Sequence, residues 1–247
     1  MTSILVTGSA GGIGQAICWQ LHKAGWKVVG LDHQAIPHFV PWDQRACDLA
    51  DLASLVGIAN DLPGDLGAII HAAADQPLLR AQENARDEWA RAWNVNVGAL
   101  QVLVSATFDR LIATSPSRVI TIGSIHGSHT SVGMAPYSVT KSALAAYVRA
   151  LAVDGAQEGI TAINIELGAA HSPKLQQGLS RWGPPRESLA RLESRLPTRR
   201  LIEPIEVAQM VDWLLTDAGR HCTGSSVPFS GGVAALLATE IDNGSKP

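Results

Sequence analysis

The stretch Ile4-Leu5-Val6-Thr7-Gly8-Ser9-Ala10-Gly11-Gly12-Ile13-Gly14 constrains this chain more than any other. An apolar run opens directly onto a glycine-rich turn, and an apolar helical pattern begins at Gln15-Ala16-Ile17-Cys18. The order predicts a buried strand, a tight turn and a helix. Glycine permits positive φ and lets backbone approach a phosphate closely. The helix N-terminus then offers unpaired N–H groups and the positive end of its dipole to an anion. That is the recipe for holding a dinucleotide pyrophosphate. Ordinary strand-to-helix turns carry glycines too, so the turn alone leaves both readings open.

Beyond Gly25, Trp26–Leu31 predicts a second strand, with Asp32 at its C-terminal end, 18 residues past Gly14. In a βαβ unit an acid there accepts hydrogen bonds from the adenosine ribose. The same residue would also suit an ordinary strand-end turn. A carboxylate repels a 2′-phosphate, and no Arg or Lys lies in Gly8–Gly14 or directly after Asp32, so NAD is favoured over NADP. Residues 33–46, with Pro37 and Pro41, leave little room for a crossover helix and lead to a short strand ending near Ala46-Cys47-Asp48. Asp48-Leu49 would sit beside an adenine ring, or Asp48 would cap the helix Leu52–Asn60. A buried fourth strand, Leu66–Ile70, ends in His71-Ala72-Ala73-Ala74, small residues that permit close approach of a cofactor. His71 fits better as a core histidine.

A long helical pattern over 83–112 contains Asn94-Val95-Asn96-Val97-Gly98. Asparagine and glycine are poor helix formers, so a kink or a polar task is expected there. A fifth strand, Arg118–Ile122, ends at Gly123-Ser124; a helix follows from about Pro136 to Gln157, then a sixth strand, Thr161–Glu166. Residues 172–200, rich in Pro, Gly and Arg, read as an excursion over the site, before a helix at Ile205–Leu215 and a last strand at Ser226–Phe229. Strands alternating with helices define an α/β fold. The expectation is a doubly wound, Rossmann-type parallel sheet of about seven strands with helices on both faces. It is one domain over 1–247, with a substrate lid at about 169–202. Ligands on such sheets bind beyond the carboxyl ends of the strands.

A chain that is 46% hydrophobic and 17% charged, with a net charge of −3, has material for one core. That balance points to neither nucleic acid nor an anionic membrane as partner. No apolar run is expected to approach the roughly 20 residues of a bilayer span, and a strand starting by Ser3 implies no preceding signal peptide. Cys18, Cys47 and Cys222 are far apart and the histidines lack ligand spacing. The expectation is free thiols in a reducing cytoplasm and no metal site.

Of the two tyrosines, Tyr137 has Lys141 four residues on, one helical turn away, while Tyr147 has Leu151 there. A free phenol titrates near 10 and is a poor base at neutral pH; a nearby ammonium favours the phenolate. The pair is therefore an acid/base unit for alcohol oxidation, or else a surface helix pair. Ser124, 13 residues earlier at a strand's carboxyl end, favours the first.

With these residues assembled, the chain resembles the short-chain dehydrogenase/reductase family of the classical type. The matching segments are Thr7–Gly14, Asn96 in Asn-Val-Asn-Val-Gly, Ser124, Tyr137-Ser138-Val139-Thr140-Lys141, Glu206-Val207-Ala208 and the closing Gly231-Gly232. The resemblance covers nearly the whole chain. It implies that Tyr137 exchanges the alcohol proton and that Lys141 holds the nicotinamide ribose and depresses the tyrosine pKa. Ser124 would bind the reacting oxygen, and Asn96 would position Lys141 and a water chain. Gly8, Ala10, Gly12, Ile13 and Gly14 would line the pyrophosphate site. Ala72, Ala73 and Gly168 would contact the cofactor, and Ser172 would meet the nicotinamide carboxamide. The chain departs from the family pattern at His71-Ala72-Ala73-Ala74 for Asn-Asn-Ala-Gly, Leu167-Gly168 for Pro-Gly, Ser230-Gly231-Gly232 for Asp-Gly-Gly, and in the short segment 33–46.

The substrate pocket is expected from the residues after Ser124, the loop after Gly168 and the lid, with His126, His129, Ala169, His171 and Trp182 in reach alongside Ser124 and Tyr137. Lid residues Arg181, Arg186, Arg191, Arg195, Arg199 and Arg200 would grip an anionic substrate group or form a solvated face. Three functions are compatible: NAD-dependent oxidation of a secondary alcohol, cyclic or anionic; reduction of a 3-oxoacyl or quinone-like carbonyl, which would go with NADPH; and non-catalytic NAD sensing. The family resemblance also implies a homo-oligomer, dimer or tetramer, with Ala143, Ala145, Ala146 and Ala150 allowing close helix packing.

Overall fold

The computed structural model describes residues 2–179 and 183–236. Seven strands form one parallel sheet in the order β3-β2-β1-β4-β5-β6-β7. They are β1 (Ser3–Thr7), β2 (Lys27–Asp32), β3 (Asp43–Ala46), β4 (Leu66–His71), β5 (Ser117–Ile122), β6 (Ile160–Leu167) and β7 (Ser226–Phe229). The helices are α1 (Gly12–Lys23), α2 (Leu52–Asn60), α3 (Arg86–Trp93), α4 (Ala99–Ala113), α5 (Ala135–Asp154), α6 (Pro173–Leu179), α7 (Pro185–Arg195) and α8 (Pro204–Leu214). The sheet order reverses between β1 and β4, so the crevice above that pair is the switch point where α/β sheets bind ligands.

Alternating residues of the central strands feed two separate cores. Leu5, Ile69 and Val119 face α2, α4 and α5, while Ile4, Ile70 and Ile120 face α1 and α8. This two-sided burial is why β1, β4 and β5 read as continuous apolar runs. Each fully buried aliphatic side chain adds about 1.5–3 kcal/mol relative to exposure.

Three expectations need correction. Helix α1 begins at Gly12 rather than Gln15, because the last glycines of the turn already belong to its first turn. Asp51, not Asp48, caps α2: its carboxylate accepts the Ser54 N–H at 3.1 Å. Asp48 instead pairs with Arg91 of α3, at 3.0 and 3.2 Å. Finally, α3, a π-helical turn and α4 join into one helix, Arg86–Ala113, of 28 residues, long and apolar enough to cross a membrane by length and composition. The helix itself matches the pattern expected over 83–112; what is corrected is the expectation that no apolar run approaches the length of a bilayer span. Half of its apolar window is buried inside the fold, as in a core helix.

Candidate active site

The glycine turn is packed too tightly for side chains. Gly8 has φ +70°, and a Cβ there would lie 2.7 Å from Ala73 Cα. A Cβ on Gly14 would lie 2.0 Å from the Gly8 carbonyl oxygen. A Cβ on Gly12 would make only an ordinary contact, with the Pro173 ring at 3.6 Å. The N–H groups of Gly12, Ile13 and Gly14 find no acceptor among the described residues, and the first turn of α1 carries no acidic side chain. These residues fit a diphosphate: three free donors and an uncompensated helix dipole at the switch point.

Asp32 ends β2 beside this turn and is 7% exposed. Its Oδ2 accepts the Ala10 N–H and its Oδ1 the Gln34 N–H, both at 2.9 Å. Ala10 therefore braces the acid through its amide. Ala73 donates its N–H to Thr7 Oγ1 at 3.3 Å, and Ala72 to the Thr7 carbonyl, which holds the chain after β4 against the turn. Leu49 is buried in the core on the α2 side.

His71 is a core histidine. It is fully buried, its Nδ1 lies 2.9 Å from Thr7 Oγ1, and Nε2 has no partner among the described residues. Burial and the neighbouring Lys141 charge drive its pKa down to about 3, so it is neutral.

Asn94–Gly98 forms a π-helical turn, closed by the Ala99 N–H donating to the Asn94 carbonyl five residues back. The two asparagines explain it. Asn94 Nδ2 donates to the Ala50 carbonyl at 3.0 Å. Asn96, fully buried, accepts the Asp75 N–H at 2.7 Å and donates to the Asp75 carbonyl at 2.8 Å and to Thr140 Oγ1 at 2.9 Å. The expected kink and the expected polar task are one feature, consistent with π turns gathering at functional sites. Asn96 does not touch Lys141, however; it holds the adjacent Thr140 and the chain after β4.

Ser124 follows β5, and its Oγ accepts the His126 N–H at 3.1 Å. Tyr137 lies in the first turn of α5, its ring 5.8 Å from the His126 ring and its centroid 5.6 Å from Lys141 Nζ. Lys141 is 2% exposed and donates to the Ile122 carbonyl at 2.7 Å. Burial and the charge of Lys174 bring its pKa down to about 7. The Tyr137 pKa is raised by burial, against a smaller lowering by the Ser124 hydroxyl. The expected depression of the phenol by Lys141 is thus reversed in this state. Burial of the phenol sets the direction, and Lys141 is not among the causes of the shift.

The substrate side is only partly as expected. An open cavity of about 630 Å³ lies beyond β6 and β7, lined by Ser128, His129, Glu166 and residues 228–232, 234 and 235. No described residue of the lid lines it. A smaller one of about 180 Å³ is lined by Thr198, Arg200, Glu206 and Phe229, among others. His171 turns to Glu203, Nε2 to Oε1 at 3.4 Å. The Ala169 carbonyl accepts the Ile202 N–H, and Gly168 packs on Ser230, where a Cβ would meet its Cα at 2.7 Å. Ser172 Oγ accepts the Leu175 N–H at 3.1 Å. Arg186, Arg191, Arg195, Arg199 and Arg200 are exposed, and Arg200 is held by Glu206, so they form a solvated face and not one anion site. Trp182 and Arg181 lie outside the described residues. Sequence reading missed Asp75, Thr140 and Lys174. Thr140 was visible beside Lys141; for the other two no local motif gave a signal.

A dinucleotide cradle at the switch point, with serine, tyrosine and lysine meeting above β5, defines a nicotinamide-dependent oxidoreductase. Residues 8–234 match the family model described as enoyl-(acyl carrier protein) reductase. The chain is 31% identical to the protein FixR of Bradyrhizobium diazoefficiens, over 93% of this chain and 85% of that protein. It is 25% identical to an acetoacetyl-CoA reductase of an Acinetobacter species, over 93% and 96% of the two chains. The ligand-free structure of Thermoplasma acidophilum aldohexose dehydrogenase superposes with a TM-score of 0.91 at 19% identity, covering 100% of this chain and 97% of that one. The chain belongs to the short-chain dehydrogenase/reductase family.

Proposed function

We propose that this protein oxidises a secondary alcohol, cyclic or anionic, with NAD as hydride acceptor and Tyr137 as acid/base. One observation carries the reading: Tyr137, Ser124 and Lys141 meet in the crevice that also holds the free N–H groups of α1 and the Asp32 carboxylate. When bound, the dinucleotide supplies the hydride chemistry. Tyr137 receives the alcohol proton. The Ser124 Oγ accepts the His126 N–H, and its hydrogen, now turned to the Tyr137 phenol, would be shared with the substrate oxygen. Lys141, anchored on the Ile122 carbonyl, holds the ribose and supplies positive charge beside the phenol. Asn96 keeps the two sides of the crevice at a fixed distance through Asp75 and Thr140.

Asp32 supports NAD by repelling a 2′-phosphate. Nicotinamide fluorescence titration of wild type, Asp32→Asn and Asp32→Ala tests this. NADH should bind more tightly than NADPH, and the preference should collapse by roughly tenfold once the charge is gone. Equal or tighter NADPH binding by wild type overturns the NAD assignment. It would favour the second reading, reduction of a 3-oxoacyl carbonyl, for which the acetoacetyl-CoA reductase relative speaks. Turnover of acetoacetyl-CoA with NADPH would establish it.

We propose a reducing, cytoplasmic setting, supported by the free thiols of Cys18, Cys47 and Cys222. Assembly as a dimer or tetramer through α4 and α5 is supported by exposed Ala146, Ala150, Val139 and Ile112 on those helices.

A further inference from the structure

Helix α6 crosses the switch point. Its first residue, Pro173, packs on Gly12 of the glycine turn. Its second, Lys174, donates from Nζ to the carbonyl of Ala74, which follows β4. The strap therefore spans from the end of β1 to the end of β4, over the crevice that the free N–H groups of Gly12, Ile13 and Gly14 face. The surroundings of Lys174 are charged on all sides. Asp32 and Asp75 attract it, while Arg91 and Lys141 repel it. Among the described residues it forms an ion pair with neither acid, and its hydrogen-bond partner is a neutral carbonyl. A cation placed so, beside free backbone donors, lacks only an anion.

We infer that Lys174 is a binding residue for the dinucleotide diphosphate, leaving the Ala74 carbonyl to pair with a phosphate oxygen when the cofactor enters. The inference rests on the dinucleotide reading above and adds to it a residue from the cover, 160 positions beyond Gly14. The diphosphate would be gripped from below by the N-terminus of α1 and from above by an ammonium, a charge-assisted contact. Two effects support it. Lys174 is an exposed residue whose ammonium, partly stripped of water, sits below the ordinary lysine value, so an anion that favours its charged form is welcome there. A phosphate paired with Lys174 also offsets the charge that, after burial, lowers Lys141, shifting that lysine toward the ammonium form in the loaded state.

The test is calorimetric binding of NADH, ADP and adenosine to the full chain, as wild type, Lys174→Met and Lys174→Arg. Lys174→Met should weaken NADH and ADP by roughly 10- to 100-fold and leave adenosine within twofold. Lys174→Arg should recover most of the loss. Unchanged ADP and NADH affinity in Lys174→Met overturns the inference, because Lys174 would then only tether α6 to Ala74. An equal loss of adenosine binding also overturns it, as a collapsed crevice. So does unchanged NADH affinity with a fall in kcat/KM confined to anionic substrates, which would make Lys174 a substrate contact. Wild type that binds neither NADH nor NADPH fails the dinucleotide reading itself, and the inference with it. Wild type that binds while Lys174→Met is unaffected fails only the inference.

Discussion

Around the proton-transfer unit, polar side chains reach across the fold: Asn96 to Asp75 and Thr140, and Lys141 to Ile122. Along 183–200 they bond within their own segment or to the next one. Ser194 donates to the Arg191 carbonyl, Arg199 to the Ser194 carbonyl, and Arg200 to Glu206 six residues on. The first arrangement exists only when the whole sheet is assembled, and its geometry is set by elements that cannot move independently. The second bonds locally, apart from the buried Ser188 Oγ, which has no partner among the described residues, and its bonds do not depend on the assembled sheet. The geometry of the frame is thereby set by the assembled sheet, while that of 183–200 is set by its own segment.

Three experiments bear on this contrast. The largest effect belongs to Tyr137→Phe, which keeps the ring and removes the proton carrier. We expect kcat to fall by roughly 10²–10⁴-fold with thermal unfolding unchanged; retained turnover would dissolve the special status of the frame. The second probes the buried lysine in the ligand-free protein. Its folded pKa, about 7, lies below the ordinary value of 10.5. Between those values the unfolded chain binds more protons than the folded one, so the Lys141 contribution to stability rises with pH across that window. Urea titrations at pH 7 and 9 should show wild type gaining on Lys141→Met as pH rises. A constant difference would mean that the lysine is solvated and the frame looser than described. The smallest effect is expected at Arg191→Ala in the cover: kcat/KM within twofold for every accepted substrate. A selective loss would make that face a substrate site.

The sequence showed most of the frame and little of the cover, for a physical reason. Buried parallel strands must be apolar, tight turns need glycine, and a proton carrier needs its partners at helical spacing. The strand Ser226–Phe229, the helix Leu52–Asn60 and the residues Ser124, Tyr137 and Lys141 were therefore legible. Long-range partners carry no local pattern. Nothing near Asn96 announces Asp75, and nothing near Lys174 announces Ala74. The sign of the Tyr137 shift was equally out of reach, since it depends on how far the phenol itself is withdrawn from water.

The π turn at Asn94–Gly98 has a consequence for how this chain tolerates length changes. A π turn holds one residue more than a regular helix has room for, and each α-helical residue advances the helix by about 100°. Removing one residue from that turn would restore a continuous α-helix, a more regular and locally cheaper element. Because the turn absorbs its extra residue as a local widening, the deletion would leave the helical segments on either side nearly in register and act on the turn itself. The Arg91–Asp48 pair lies before the widening and would be kept, while the Asn96 grip on Asp75 and Thr140, which the widened turn presents, would be lost. The irregularity is a locally absorbed insertion: the helix gives up regularity there, and the placement of Asn96 depends on it.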